Sequence, residues 1–298
     1  MKHYLYAIGA IFCWASLPAA TGSGLAGLST EELMFFSFTS AAVFLYLQDI
    51  LLTRSLELYI PSLKGSLLGV WGIFFYHFIY YKALDQAPLA EGAILSTTWS
   101  FWIVVFSSLI LFRKLKVAIL FTAMVGLVGV VLVISSGKTL SFEMEYMQGY
   151  MLALVCGVIW ASFSVALGRL KMKKEPMTAF TIYAAIFSTI LYVATMPHNM
   201  PSTRALLAAI YLGCIPLGLS FFLWNRAVTG GNMVIIGFLS YLTPPLAVLL
   251  VAVIHGKSIS PQVLFGMVII IAASIGGRLS LSASVENELQ QPDDTPEQ

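Results

Sequence analysis

The sequence predicts an all-α polytopic membrane protein of ten transmembrane helices, arranged as two inverted five-helix repeats. Three observations predict it: the composition, the number and length of the apolar runs, and short segments that recur at a near-constant spacing. Of 298 residues, 59% are hydrophobic and only 10% are charged, with a mean hydropathy of +0.88. Soluble domains carry about 25% charged residues, so this chain cannot clothe a water-facing surface.

A bilayer core of about 30 Å needs roughly 20 apolar residues per helix. Ten runs meet that length, and we take them in chain order. The first, 3–21, flows into further apolar sequence and lacks a cleavage site, so it is expected to be a span and not a removable leader. The second, 31–52, opens with Glu31 and Glu32, acids suited to a helix N-terminus. The third, 65–84, holds FFYHFIYY from Phe74 to Tyr81, and the fourth, 89–112, holds STTWSFW from Ser96 to Trp102. Runs 117–135, 149–169 and 178–196 follow. The eighth, 205–225, contains GCIPLG and the ninth, 232–254, contains YLTPP; the tenth is 261–280. Proline removes a helical hydrogen bond and is tolerated at depth where a neighbour or cavity re-satisfies the backbone. The breaks in spans eight and nine read equally as hinges or as static kinks. Between runs, TGSGLAGLST, DQAPLA, PHNMPSTR and HGKSISP carry turn chemistry.

Charge placement orients the chain. With the N-terminus inside, Lys2, Arg54, Lys64, Arg113, Lys114, Lys116, Arg169, Lys171, Lys173, Lys174, Arg226 and Arg278 face the cytoplasm, against Lys82, Lys138, Arg204 and Lys257 outside. Twelve against four satisfies the positive-inside rule, with both termini cytoplasmic. After Arg278 come five acidic residues and no basic one, so 281–298 is expected to be a disordered, acidic cytoplasmic tail.

The two halves resemble each other. YLYAIGAIFCWAS (Tyr4 to Ser16) returns 146 residues later as YMLALVCGVIWAS (Tyr150 to Ser162). YKAL at 81–84 returns as NRAV at 225–228, an offset of 144 that also carries Ser96 onto Ser240 and Leu120-Phe121 onto Leu264-Phe265. The expected units are 1–147 and 148–280. Five spans per unit is odd, so the second half enters the membrane in the opposite sense. Such inverted repeats typify secondary transporters, which hold their solute near the midplane between the halves.

Candidate pathway residues follow from helical phase. At 100° per residue, Gly69, Ile73, Tyr76, His77, Tyr80 and Leu84 share one stripe, while Trp71, Phe74, Phe75 and Phe78 take the opposite, lipid-facing side. Ionisable groups at this depth face an interior or a cavity; His77 either lines a pathway or bonds a neighbouring helix. Trp99, Trp160 and Trp14 sit well inside spans, where they stack on a solute or simply pack, whereas Trp224 at a span end fits the interfacial habit of tryptophan. The expected solute-binding set is Tyr76, His77, Tyr80, Trp99 and Trp160, with Ser96 and Ser240 as lesser members. His77 has no carboxylate at its depth, so it is expected to act as a neutral ligand. Asp85 and Glu91 lie close enough to Lys82 for an interfacial charge cluster. Cys13, Cys156 and Cys214 lie in apolar runs without metal-ligand spacing, so no metal or cofactor is expected and the thiols are free. An intramembrane enzyme would need paired aspartates, a Ser/His pair or a metal site; no H-E-x-x-H occurs, and His3, His198 and His255 sit at span ends. A channel lacks its ring of charge or carbonyl-rich filter.

Ten spans as five plus five, WAS opening each half, and an aromatic-K/R-A-L element before span four with its partner before span nine resemble the drug/metabolite transporter superfamily. The paired halves are similar to its EamA-type branch over residues 1 to about 280. Within that branch, the Trp, Tyr and His in candidate pore positions are similar to the bacterial aromatic amino acid exporters. The resemblance implies an inner-membrane carrier, with no catalytic residue, exporting amino acids (aromatic and other apolar ones) by alternating access. It also implies a central cavity lined by spans one, three, four, six, eight and nine, with five and ten to the side. An exporter or antiporter of a drug, purine or sugar derivative is the alternative. Expected partners are the bilayer and a small-molecule substrate, without nucleic acid; a monomer is an allowed state.

Overall fold

The computed structural model describes residues 1–135, 140, 142–195, 201–255 and 259–290. Among them, ten helical segments are long and apolar enough to cross a membrane: Lys2–Leu25, Thr30–Thr53, Leu63–Asp85, Glu91–Phe112, Val117–Ser135, Met144–Arg169, Met177–Ala194, Thr203–Val228, Met233–Leu250 and Pro261–Glu286. We call these spans one to ten. An even number of crossings returns the chain to the face it started from; that face is the terminal face and the other the far face. Lys138 and Lys257, two of the four cations expected outside, lie beyond the described residues.

Local chemistry sets the helix ends. Ser29 caps span two, its hydroxyl accepting from Glu32 N while Glu32 Oε2 accepts from Ser29 N at 2.8 Å. Such a reciprocal capping box satisfies two orphan donors at once. At the other end of the chain the expectation fails. The last helix runs from Pro261 to Gln290, so 281–290 is helical and not disordered tail. The segment LSASVENELQ lacks Gly and Pro, so nothing in it stops a helix; residues 291–298 lie outside the described set.

The inverted repeat is visible in backbone irregularities. Span three carries a π-helical turn over Val70–Phe75, and span eight carries one over Ile215–Leu219. Subtracting the 144-residue offset places the second over 71–75, inside the first. Span four breaks at Thr98, between helices Leu89–Thr97 and Trp99–Phe112, and span nine breaks between Met233–Ser240 and Thr243–His255. The break at YLTPP matches its prolines. The break in span four has another cause: Ser96, Thr97 and Thr98 each turn a hydroxyl back onto a carbonyl of the preceding turn, Thr98 to Leu95 O at 2.6 Å. Back-bonding of this kind bends helices. Symmetry fails in one place. Span one breaks at Ser16, two residues before Pro18, but span six continues through Ser164, which stands where the 146-residue offset would put that proline.

Packing forms two cores. One gathers spans one to four and six to nine around Trp14, Trp160 and Trp224; the other joins spans four, five, nine and ten around Val130, Tyr241 and Ile270. Spans five and ten lie back to back at the side, as the resemblance implies. A Cβ on Gly129 would sit 3.0 Å from Gly266 O, and one on Gly266 would sit 2.9 Å from Gly129 O, so only glycine permits this approach.

Candidate solute pathway

The π-turn in span three decides which faces its aromatics present. A π-turn closes i→i+5 and advances less per residue than an α-turn, so the 100° projection drifts across it. Trp71 and Phe75 are exposed at 43% each, as expected of a lipid face. Phe74 is not: it is buried, its ring 5.1 Å from Phe187 of span seven. The inward stripe is occupied by Ile73, His77, Tyr80 and Tyr81, with Tyr76 at its edge.

His77 is caged by rings. Its neighbours are Phe38 at 5.2 Å, Tyr76 at 4.7 Å, Phe221 at 5.7 Å and Trp160 at 6.5 Å. Its Nδ1 donates to Ile73 O of its own helix at 2.7 Å, which fixes the ring and, in the neutral imidazole, leaves Nε2 as an acceptor. The expected alternatives were a pathway or a neighbouring helix; the bond made is to neither.

Inside the bundle four tryptophans meet. Trp14 of span one, Trp99 of span four, Trp160 of span six and Trp224 of span eight are all buried and form all six possible pairs, with centroids 5.0 to 6.4 Å apart. Two rings come from each half, so four of the six contacts cross between the repeats. The expected interfacial place of Trp224 is therefore corrected: it is wholly buried, and its Nε1 donates to Ser164 Oγ at 3.0 Å. The reason is that span eight extends to Val228, which leaves Trp224 a turn short of the helix end and turned into the bundle. Trp14 Nε1 likewise donates, to Pro216 O at 3.0 Å, using the backbone of the second π-turn. By contrast, among the described residues Trp99 and Trp160 have no hydrogen-bond partner for their indole N–H.

Tyr76 joins this group through Trp160 at 4.8 Å and stacks on Tyr80 at 5.9 Å. The five principal expected residues are thus brought together. Ser96 and Ser240 are buried but bond back to their own helices, at Ala93 O and Gly237 O, and the ring cluster does not include them. Missing from the expected set were Trp14, Trp224 and Tyr81, whose hydroxyl is buried without a partner among the described residues.

Cavities lie toward the two faces. One of about 640 Å³ opens at the far face between the ends of spans one and eight, near Gly22, Ser23 and Arg204. One of about 370 Å³ lies at the terminal face among Lys171, Lys173, Lys174, Glu175, Asn225 and Arg226. The tryptophan tetrad is buried inside the bundle, its Trp224 next in sequence to Asn225 of the second cavity. In the second cavity, burial pushes the Glu175 carboxyl up to about 7, opposed by a hydrogen bond from Asn225 Nδ2 at 2.7 Å. At the far face Lys82 does meet an acid, but it is Glu31 of span two, at 2.9 Å; Glu91 is buried.

Two inverted halves of five apolar helices, meeting at a seam of aromatic rings, define a polytopic membrane carrier. The chain belongs to the EamA-like transporter family, whose model matches residues 1–135 and 147–276, one copy in each half. The aromatic amino acid exporter YddG of Ancylobacter novellus is 34% identical over 187 residues, covering 62% of this chain and 65% of that protein. The pseudopaline exporter CntI of Pseudomonas aeruginosa is 24% identical over 203 residues, covering 67% and 68%. A solved crystal structure, 29% identical, superposes with a TM-score of 0.84 over 94% of this chain and 99% of its own.

Proposed function

We propose that this protein exports amino acids, aromatic and other apolar ones, across a bacterial inner membrane by alternating access. The observation that carries the reading is the seam: two indole N–H donors without partners among the described residues, and the free Nε2 of His77, lie among rings contributed by both halves. Aromatic faces stack on an apolar or aromatic side chain, while the free donors and the Nε2 acceptor suit polar groups of the same solute. The names of the relatives support export, and one of them names aromatic amino acids. Twelve cations against four support cytoplasmic termini. In the structure the seam is shut, so a solute enters when the halves part at the tetrad. Counterflow of tritiated amino acids, drugs and nucleosides in proteoliposomes tests the reading. Aromatic amino acids should exchange fastest; exchange confined to nucleosides or drugs would overturn the solute class.

A further inference from the structure

The far-face ion pair has a counterpart at the terminal face, and the two are in different states. The 144-residue offset that relates the repeats carries Glu31 onto Glu175, Tyr81 onto Asn225 and Lys82 onto Arg226. In the first half the acid and base are joined, Lys82 Nζ to Glu31 Oε1 at 2.9 Å. In the second half they are apart. Arg226 lies over the Phe222 ring, 4.3 Å from its centroid, and Glu175 takes Asn225 Nδ2 instead. Arg226 is near enough to draw the Glu175 carboxyl down, yet among the described residues it makes no ion pair with it. Among the described residues the Asn225 side-chain Oδ1 is buried without a partner, and the cavity of about 370 Å³ lies between these groups.

We infer that Glu31–Lys82 and Glu175–Arg226 are the two gates of the carrier, related by the inverted repeat and closed in alternation. The structure has the far gate locked and the terminal gate released. In the opposite state Arg226 leaves Phe222 and closes on Glu175, while Lys82 parts from Glu31. The physical warrant is that inverted halves exchange conformations when access switches, so a contact made in one half is made by its counterpart in the other state. Glu175 without its cation is the strained member: its buried carboxyl holds its proton to higher pH than usual and has an amide in place of a base. The other charged groups facing it are Asp49, on span two, and Lys171, Lys173 and Lys174 around the cavity.

This rests on the alternating-access part of the proposed function but not on the solute. Leu28 at the far face and Met172 at the terminal face are also related by the offset of 144. Each is replaced by cysteine in otherwise intact protein, and labelling by a membrane-impermeant maleimide from its own side is read as the increment over the parent. Lys82→Gln should raise labelling of Leu28→Cys and lower that of Met172→Cys. Arg226→Gln should do the reverse, each by up to about fivefold, the size of a surface ion pair. The swap Glu175→Arg with Arg226→Glu should restore the parental values. If both substitutions move the two reporters in the same direction, or neither moves them, the gates are not coupled and the inference falls. Where a Gln variant is not recovered in folded form, Lys82→Arg and Arg226→Lys are used. They keep the charge, so parental labelling is required of them and any reversal of access overturns the inference. A wrong solute would leave this labelling unaltered, while ungated labelling with intact exchange would sink only the gates.

Discussion

At the scale of single residues, the tetrad divides into committed and uncommitted indoles, and substitution should separate them. Removing a whole ring costs about 3–5 kcal/mol in a packed core, so phenylalanine is the cleaner probe. Trp224→Phe strips Ser164 of its donor and should lower stability by about 1–2 kcal/mol, measured by thermal unfolding in detergent. Trp99→Phe and Trp160→Phe break no bond among the described residues and should keep stability while weakening exchange severalfold. Phe75→Ala, on the exposed face, should alter neither. Glu175 gives a pH signature. Its carboxyl titrates near 7 when folded and near 4.5 when free, so the folded state favours the protonated form. The contribution of Glu175 to stability is therefore full below about 4.5 and is lost as pH rises through about 7. In Glu175→Gln the fall in melting temperature from about pH 5 to about pH 8 should shrink by a few degrees, and an unchanged fall would refute the assignment. That Tyr76, His77, Tyr80, Trp99 and Trp160 come together was legible in the sequence because polar-tipped rings inside a span have few places to go. Trp224 was not, since the interfacial habit of tryptophan is a statistical prior and its partner Ser164 lies 60 residues away. Glu175 sits in a loop, where acids attract no notice, although its spacing from Glu31 was there to be counted.

At the scale of elements, the ten spans were legible because length and apolarity are local properties. The π-turns were not, since an i→i+5 ladder has no composition of its own, and that is why Phe74 was assigned to the wrong face. The break at Thr98 carried a signal in its three successive hydroxyls. Close helix approaches give a further test. A Cβ at Gly213 of span eight would press on the Ser37 backbone of span two, whereas one at Gly22 would meet nothing within 4 Å. Gly213→Ala should thus cost about 1–3 kcal/mol. Gly22→Ala, in the helix Leu17–Leu25, should gain about 0.5–1 kcal/mol from helix propensity. Equal effects on melting temperature would mean that spans two and eight are not pressed together.

At the scale of the molecule, the topology has one exposed consequence. Reporter fusions at Met1 and after Gln290 should both report the cytoplasm; opposite signals would require an odd number of crossings. The tetrad has a consequence of a different kind. Four of the six tryptophans in the chain are in mutual ring contact, while Trp71 is exposed on the outer surface and Trp102 is partly buried. Most of the intrinsic ultraviolet emission thus originates at the one place where the halves must separate. Adjacent indoles at these distances exchange excitation when excited in the main absorption band but not at its red edge, so main-band anisotropy should rise when the rings part while red-edge anisotropy stays put. An apolar, non-absorbing amino acid such as methionine should produce that rise on binding, with Trp71→Phe leaving it intact. The protein carries its own optical gauge of seam opening, with no dye or label to attach.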